Sequence, residues 1–579
     1  MHDMAAVENA RRQFNEFDPS FGEGATKERG ARTIVIDQQS QYVRAIAREA
    51  PRTARRDQRR EQVVGVRDEA YAGRSHRVAP SLDVCRSTSV AEPMATSTIE
   101  CQADRTRETS MEFTPIGALT IVLGLSVFRR DLRLGFAIYT ASTPLGSAAA
   151  LFLPMLGGLG VQPAHLILAM LLASIGARVL VDPRIAPFAA LPRGTAYLVF
   201  TIVWAIIGAI FLPRLFAGTT YVNAIGITES GYTVKPIPLA PTSGNFTQPL
   251  YLAGDLACLY VTAVVARRFG FRAIVNALLC YSALNALFGA IDILTWATHT
   301  GYLLEPIRNA SYTLHVDEQV AGLKRIAGSF PEVSAFSFAS LGIFGFTARL
   351  ALERGWRHPS AWIAIATAIL LLMSTSATAY VSLPVVLGAF WLDSIVRANR
   401  GRVRPETTGF VILAPIALAA VLLAVMLIPS QRDFLTDFIT SAVLDKSMSA
   451  SGVERASWNA AAIGNFFDTY MLGAGLGSVR ASSFPIALLG NLGLPGTLSF
   501  VLFLWVLFRG TPTHKAAAPE ISAARFGCFG MLFAACISGA LVDLTLPFFI
   551  FAGLVFAAQP VTSRTTYPVV PALRPRLQI

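Results

Sequence analysis

The most regular feature of the chain is a succession of apolar runs separated by short polar interludes. The runs fall at Phe113 to Phe128, Leu134 to Leu153, Ala164 to Val181, Ala196 to Leu212, Pro249 to Ala266, Ala273 to Ala297 and Ser334 to Leu352. They continue at Ala361 to Thr375, Ala379 to Val396, Gly409 to Ile428, Pro485 to Phe508, Phe526 to Leu541 and Leu544 to Ala558. A membrane-spanning helix needs about 17 to 25 apolar residues, so this pattern predicts an all-α, polytopic protein with about 12 to 13 spans. Residues 1 to 110 contain no such run and no periodic apolar face, and they are expected to be a disordered tail.

The interludes alternate in charge. Arginine clusters occur at Arg129, Arg130 and Arg133, at Arg184 and Arg193, at Arg267, Arg268 and Arg272, and at Arg354 and Arg357. The series goes on with Arg397 to Arg404, with Arg509, Lys515 and Arg525, and with Arg564, Arg574 and Arg576. Loops rich in Arg and Lys stay on the cytoplasmic side, so these face inward, with 564–579 a cytoplasmic tail. The complementary loops then face outward, and two of the outer loops are long and polar, 298–333 and 429–484. The same alternation conflicts with an N-terminal tail of 17 arginines and one lysine against 17 acids, which would have to cross the membrane without a signal peptide. Met111 is therefore expected to be the natural start, with 111–563 the polytopic domain; the alternative is a genuine cytoplasmic tail with a different first span.

Composition agrees: 53% hydrophobic and 15% charged residues with a mean hydropathy of +0.50 exceed what a soluble globular chain carries. The formal charge of +12 comes almost wholly from the loops between spans, so it reflects topology and implies no nucleic-acid partner. Six cysteines, two in the tail and four inside apolar runs, read as packing residues and not as a disulfide framework.

Candidate chemistry sits in the two outer loops. In 298–333, Asp317 can cap a short surface-lying helix with Val320, Leu323 and Ile326 on its apolar face. Arg325 at its end is either a paired-donor grip for a phosphate or an interfacial arginine, and Arg308 reads as interfacial. In 429–484, Arg432 to Leu444 suggests a second surface helix. Ser451 to Glu454 has the form of a capping box that opens a helix to about Asp468, with Trp458, Ala462 and Phe466 on one face. Arg455 falls in its first turn, a place that opposes the helix dipole unless an anion binds there. GAGLGSVRASS, Gly473 to Ser483, lacks the preceding strand of a nucleotide loop; its glycines permit close backbone approach and carry Arg480 to the edge of the next span. Arg325, Arg455 and Arg480 are thus candidates to converge on one diphosphate. No paired carboxylates of DxD type and no His/Cys cluster stand in these loops, so neither a metal nor another cofactor is expected. Asp255, Asp292 and Asp543 lie in or between spans and are candidate ion-coupling groups of a transporter.

The segments RIAGSFPEVSAFS, Arg325 to Ser337, and ERASWNAAAIGNFFDTYMLGAGLGSVRASS followed by GNLGLPG, Gly490 to Gly496, resemble the O-antigen ligase and Wzy-type polysaccharide polymerase superfamily. The resemblance implies a metal-independent glycosyltransferase of the bacterial inner membrane. It implies a substrate of oligosaccharide on undecaprenyl diphosphate, held by Arg325, Arg455 and Arg480, and an environment of membrane lipid with flippase and chain-length regulator proteins as partners. The ligase branch carries a histidine followed by asparagine shortly after the glycine turn. Here Ser482, Ser483 and Phe484 stand there, which favours a repeat-unit polymerase over a ligase. If the acceptor hydroxyl needs a general base, Glu332 and His315 are what the loops offer. A secondary transporter or lipid-linked sugar flippase using Asp255 and Asp292 is the rival reading, although no internal repeat is visible.

Overall fold

The computed structural model describes residues 112–129, 131–153, 159–182, 188–228, 231–310, 316, 319–320, 323–399, 405–427, 440, 450–510 and 517–559. The expected tail, His315, Asp317 and the second surface helix around residues 432–444 lie outside the described residues, apart from residue 440.

The described chain is a helical bundle. A two-residue strand β1 (Glu112–Phe113) leads into α1 (Pro115–Arg129), then α2 (Leu132–Ser142), whose first turn is capped by Asp131 accepting the Arg133 amide at 3.3 Å. The expected span from Leu134 to Leu153 is not one helix. It stops at Ser142, just before Pro144, which has no N–H to continue the ladder, and its distal part forms β2 (Leu151–Leu153). β2 pairs antiparallel with β1 and with β3 (Leu159–Val161). α3 (Pro163–Val181) and α4 (Ala196–Leu215) follow, and a hairpin of β4 (Tyr221–Thr228) and β5 (Gly231–Pro238) occupies the next loop.

α5 (Gly244–Phe269) and α6 (Phe271–Ala297) are joined by Gly270 alone, whose φ of 88° turns the chain sharply where a side chain would be strained. After the short strands β6 (Gln319–Val320) and β7 (Leu323–Lys324) come α7 (Val333–Arg354), α8 (Pro359–Met373), α9 (Ala377–Asn399) and α10 (Pro405–Leu427). The remainder is α11 (Ala450–Asp468), α12 (Phe484–Arg509), α13 (Ala518–Ser538) and α14 (Thr545–Ala557).

Eight of these helices are long and apolar enough to cross a membrane: α3, α4, α5, α6, α7, α9, α12 and α13. Shorter apolar helices add to them, and large side chains such as Phe211, Leu392 and Trp505 point outward from the bundle. In water such a surface would aggregate, and in hydrocarbon it costs nothing. The protein is a multi-pass membrane protein.

α7 and α14 are its buried centre. α7 packs on α13 through Gly342, Gly345, Gly527 and Gly530; a Cβ at Gly345 would lie 2.3 Å from the Phe526 carbonyl oxygen, so only glycine allows this approach. One end of the bundle is tied by arginines. Arg349 bonds Glu353 at 2.7 Å and Asp393 at 3.1 Å, Arg397 bonds the same two carboxylates, and Arg354 pairs with Glu520. The described parts of the long polar loops, residues 298–310, 323–332 and 450–483, lie at the opposite end.

The expected surface helix at 317–326 is replaced by the two short strands, because tertiary contacts pull the chain extended. Asp292, near the end of α6, accepts the backbone N–H groups of Ala327 and Gly328 at 2.9 Å each and pairs with Lys324 at 3.7 Å. Arg308 is not an interfacial side chain either. Its Nη2 donates to Asp292 at 2.7 Å and its Nε to the Gly328 carbonyl at 3.0 Å, so it is buried as a bolt between α6 and the loop.

Candidate functional site

The glycine turn Gly473 to Gly477 sits where three helices meet. Gly473, Gly475 and Gly477 have φ of 84°, 94° and 89°, in the region where side chains are strained. Each lies against a different backbone: Gly473 on Asn491 and Gly493 of α12, Gly475 on Gly208 of α4, and Gly477 on Gly244 of α5. The close approach expected of these glycines is therefore real, and its recipients are helix backbones.

Two asparagines hold the turn. Asn491, buried on α12, accepts the amides of Gly477 and Val479 at 3.0 and 3.2 Å, and donates to the carbonyls of Val479 and Ala487 at 2.9 Å. Asn245, in the first turn of α5, donates to the Leu476 carbonyl at 2.8 Å and the Ser478 hydroxyl at 2.7 Å. All four hydrogen-bonding sites of the Asn491 amide are used, so the loop path is set by side chains remote in sequence.

This path delivers Arg480 to the loop end of the bundle. Its guanidinium stacks on the Trp458 ring of α11 with its carbon 4.3 Å from the ring centroid. Burial lowers its pKa from the usual arginine value, while Glu454 and Glu332 nearby act in the opposite direction. An arginine so placed remains a cation at neutral pH. Its Nε is buried and meets no protein acceptor, so one donor of the fork is left over. α11 is joined to the same loop by Asn459, which accepts the Ser482 amide at 2.7 Å, and the Ser483 hydroxyl donates to the Cys536 carbonyl at 2.8 Å on α13.

Beside Arg480 lies a cavity of about 330 Å³, with polar walls from Thr242, Ser243, Gln248, Ser478 and Asn491 and apolar ones from Leu541 and Val542. A guanidinium, hydroxyls and amides around an open volume suit a phosphorylated or hydroxyl-rich ligand.

The structure brings some of the expected site residues together. Glu332, at the N-cap of α7 and bonded by the Ser334 hydroxyl, lies within electrostatic reach of Arg480, although the two come from different long loops. Arg455 lies one turn before Asn459 on α11, on the stripe that meets the Arg480 loop, and it is half-buried. Trp458, Ala462 and Phe466 form the inward face as their spacing predicts. Arg325 is half-buried and interacts electrostatically with Tyr380 of α9. Sequence reasoning missed the roles of Trp458, Asn491 and Asn245 in holding Arg480 and its loop. Among the described residues no three His, Cys, Asp or Glu side chains are grouped to hold a metal ion. In comparisons with known proteins, neither a family model nor a curated protein matches this chain.

Proposed function

We propose that the protein is a metal-independent glycosyltransferase of the bacterial inner membrane. It joins oligosaccharide repeats carried on undecaprenyl diphosphate at the periplasmic face, the face of the long loops. The observation that carries this reading is Arg480. Its guanidinium stacks on an indole, lies within electrostatic reach of two carboxylates, has a donor to spare, and borders a polar cavity at the end of an apolar bundle. Such a group suits a lipid-linked diphosphate, whose polyprenyl part remains in the membrane while its charged head enters the cavity.

In the reaction an acceptor sugar hydroxyl attacks the anomeric carbon of the donor, and the bond from that carbon to the phosphate oxygen breaks. Negative charge grows on the leaving undecaprenyl diphosphate, and a fixed guanidinium stabilises it without reorganising. Arg455 and Arg325 are assigned the same anion, and Glu332 and Glu454, within electrostatic reach of Arg480, are assigned to receive sugar hydroxyls. A ligase of the same superfamily would use the same chemistry with a different acceptor. A flippase or secondary transporter is a second reading, favoured by the buried Asp255. Asp292, its other candidate, already has its charge matched by Arg308 and Lys324.

The test is a deletion strain complemented with Arg480→Lys or Arg325→Lys, scored for polymer length and for lipid-linked single repeats at matched membrane levels. Lysine keeps the charge and loses the planar fork. Polymer formation should fall about tenfold or more at Arg480, equivalent to about 1.4 kcal/mol of transition-state stabilisation, while single repeats accumulate on the periplasmic leaflet. Unchanged polymer length with either variant removes that arginine from the site. Repeats trapped on the cytoplasmic leaflet in the deletion strain would replace the transferase by a flippase.

A further inference from the structure

The walls of the cavity beside Arg480 narrow what it can hold. Arg480 is the one charged residue among its described walls, and neither Glu332 nor Glu454 is one of them. Its volume of about 330 Å³ is at the lower end of ligand pockets, which run from about 300 to 1,000 Å³. That suits a sugar ring with its substituents and excludes a long oligosaccharide.

Three elements converge on this space. β4 brings Asn223, and the base of that strand is held to α11 because Asn465 donates to the Thr220 hydroxyl at 2.8 Å and to the Tyr221 carbonyl at 2.7 Å. The start of α5 brings Gln248, one turn beyond the Asn245 that fastens the Arg480 loop. The loop itself brings Ser478. Asn491 also faces the cavity, but its amide is fully engaged in holding the loop. Ser478 differs: its oxygen accepts from Asn245 at 2.7 Å, which leaves the hydroxyl hydrogen for another acceptor. Among the described residues no protein group hydrogen-bonds the side chains of Asn223 and Gln248, and both are partly exposed.

Primary amides and a hydroxyl give and accept hydrogen bonds, as the hydroxyl and acetamido groups of sugars do. The apolar wall of Leu476, Val479, Leu541 and Val542 suits the C–H face of a ring or an acetyl methyl group. An ammonium group, by contrast, finds no carboxylate among these walls and meets Arg480 as a like charge. Resting on the transferase reading, we propose that the cavity is the subsite for the sugar joined directly to the diphosphate of the lipid-linked donor. That sugar is uncharged, and Asn223, Gln248 and Ser478 determine which one is accepted. Arg480 at the rim holds the diphosphate, and the ring attached to it reaches the two amides.

The experiment measures displacement of a labelled, sugar-free prenyl diphosphate from the purified full chain in lipid nanodiscs. The competitors are prenyl diphosphates carrying no sugar, glucose, galactose, N-acetylglucosamine or glucosamine, the last at a pH where its amine is protonated. The best neutral sugar should bind about tenfold or more tightly than the sugar-free lipid, and glucosamine should show none of that gain. Gln248→Ala and Asn223→Ala should each remove about three- to tenfold of the gain and leave binding of the sugar-free lipid unchanged, which separates a lost contact from lost folding. Gln248→Glu should reverse the preference, so that glucosamine binds more tightly than N-acetylglucosamine. Arg480→Lys should weaken every competitor, the sugar-free lipid included. Neutral sugars that add nothing to wild-type binding, a wild type that favours glucosamine, or a gain that survives both Ala substitutions overturns the subsite. The transferase reading stands in those cases as long as the sugar-free lipid binds through Arg480. A sugar-free lipid diphosphate that does not bind, or binds equally well to Arg480→Lys, overturns both.

Discussion

Changing Asp292 to Asn removes one negative charge from a place that holds two positive ones. The Asp292 side chain is 2% exposed and those of Arg308 and Lys324 are 9% and 6%, so water cannot take over the lost interaction. Stranding one partner of a buried pair costs about 3 to 5 kcal/mol. Asn keeps one oxygen for the Ala327 and Gly328 amides and turns an NH2 group toward Arg308, so the lower part of that range, about 3 kcal/mol, is expected. Ala would forfeit the amide bonds as well and lose more. The damage should be local, because these contacts fasten residues 308 and 324–328 to α6 and leave the α7–α13 seam untouched. Hydrogen exchange followed by mass spectrometry should show peptides of 300–330 opening about two orders of magnitude more readily, with α7 and α13 peptides unchanged. Adding Arg308→Gln to Asp292→Asn should recover part of the loss, since one stranded cation goes with it. Unchanged exchange in 300–330 together with lost activity would refute the anchoring role and return Asp292 to the ion-coupling candidates.

Asn491→Ala should leave the Gly477 and Val479 amides buried and unpaired, costing about 2 to 4 kcal/mol, read as a lower thermal midpoint of the purified protein and a matching loss of polymer formation. Gly477→Ala would put a Cβ 2.2 Å from the Gly244 carbonyl oxygen at a φ of 89°, so membrane-inserted protein should fall sharply, whereas Gly388→Ala, where a Cβ meets nothing, should be silent. Recovery of both glycine variants at equal levels would contradict the close approach.

The spans were legible because membrane transfer depends on apolar content summed over each run, which needs no knowledge of partners. The run from Leu134 to Leu153 misled because hydropathy is blind to Pro144 and to the strand pairing beyond it. The glycine turn announced itself through residue type, since only glycine takes three successive alternate positive φ values at low cost. What it packs against did not: Asn245 reaches Leu476 and Ser478 across 231 and 233 residues of chain. Arg308 and the stretch 317–326 were misread for the same reason, since their conformation answers to Asp292 on α6, and local amphipathic spacing carries no trace of that. Arg480 and Glu332 were both legible as candidates, but that Glu332 comes within electrostatic reach of Arg480 across two loops was not.

The tethering of the glycine turn also bears on how a ligand would be received. Ala474 and Gly475 give their amides to α12 carbonyls, and Gly477 and Val479 give theirs to Asn491, so a segment without regular secondary structure has its backbone committed as fully as a helix. A guanidinium carried on such a segment is preorganised: little entropy remains to be lost when an anion arrives, and affinity is not spent on closing a lid. The same rigidity limits adaptation. A loop held against three helices cannot reshape itself around different ligands, so tolerance among ligands must reside elsewhere around the cavity, and any displacement of Arg480 has to be shared with α4, α5 and α12.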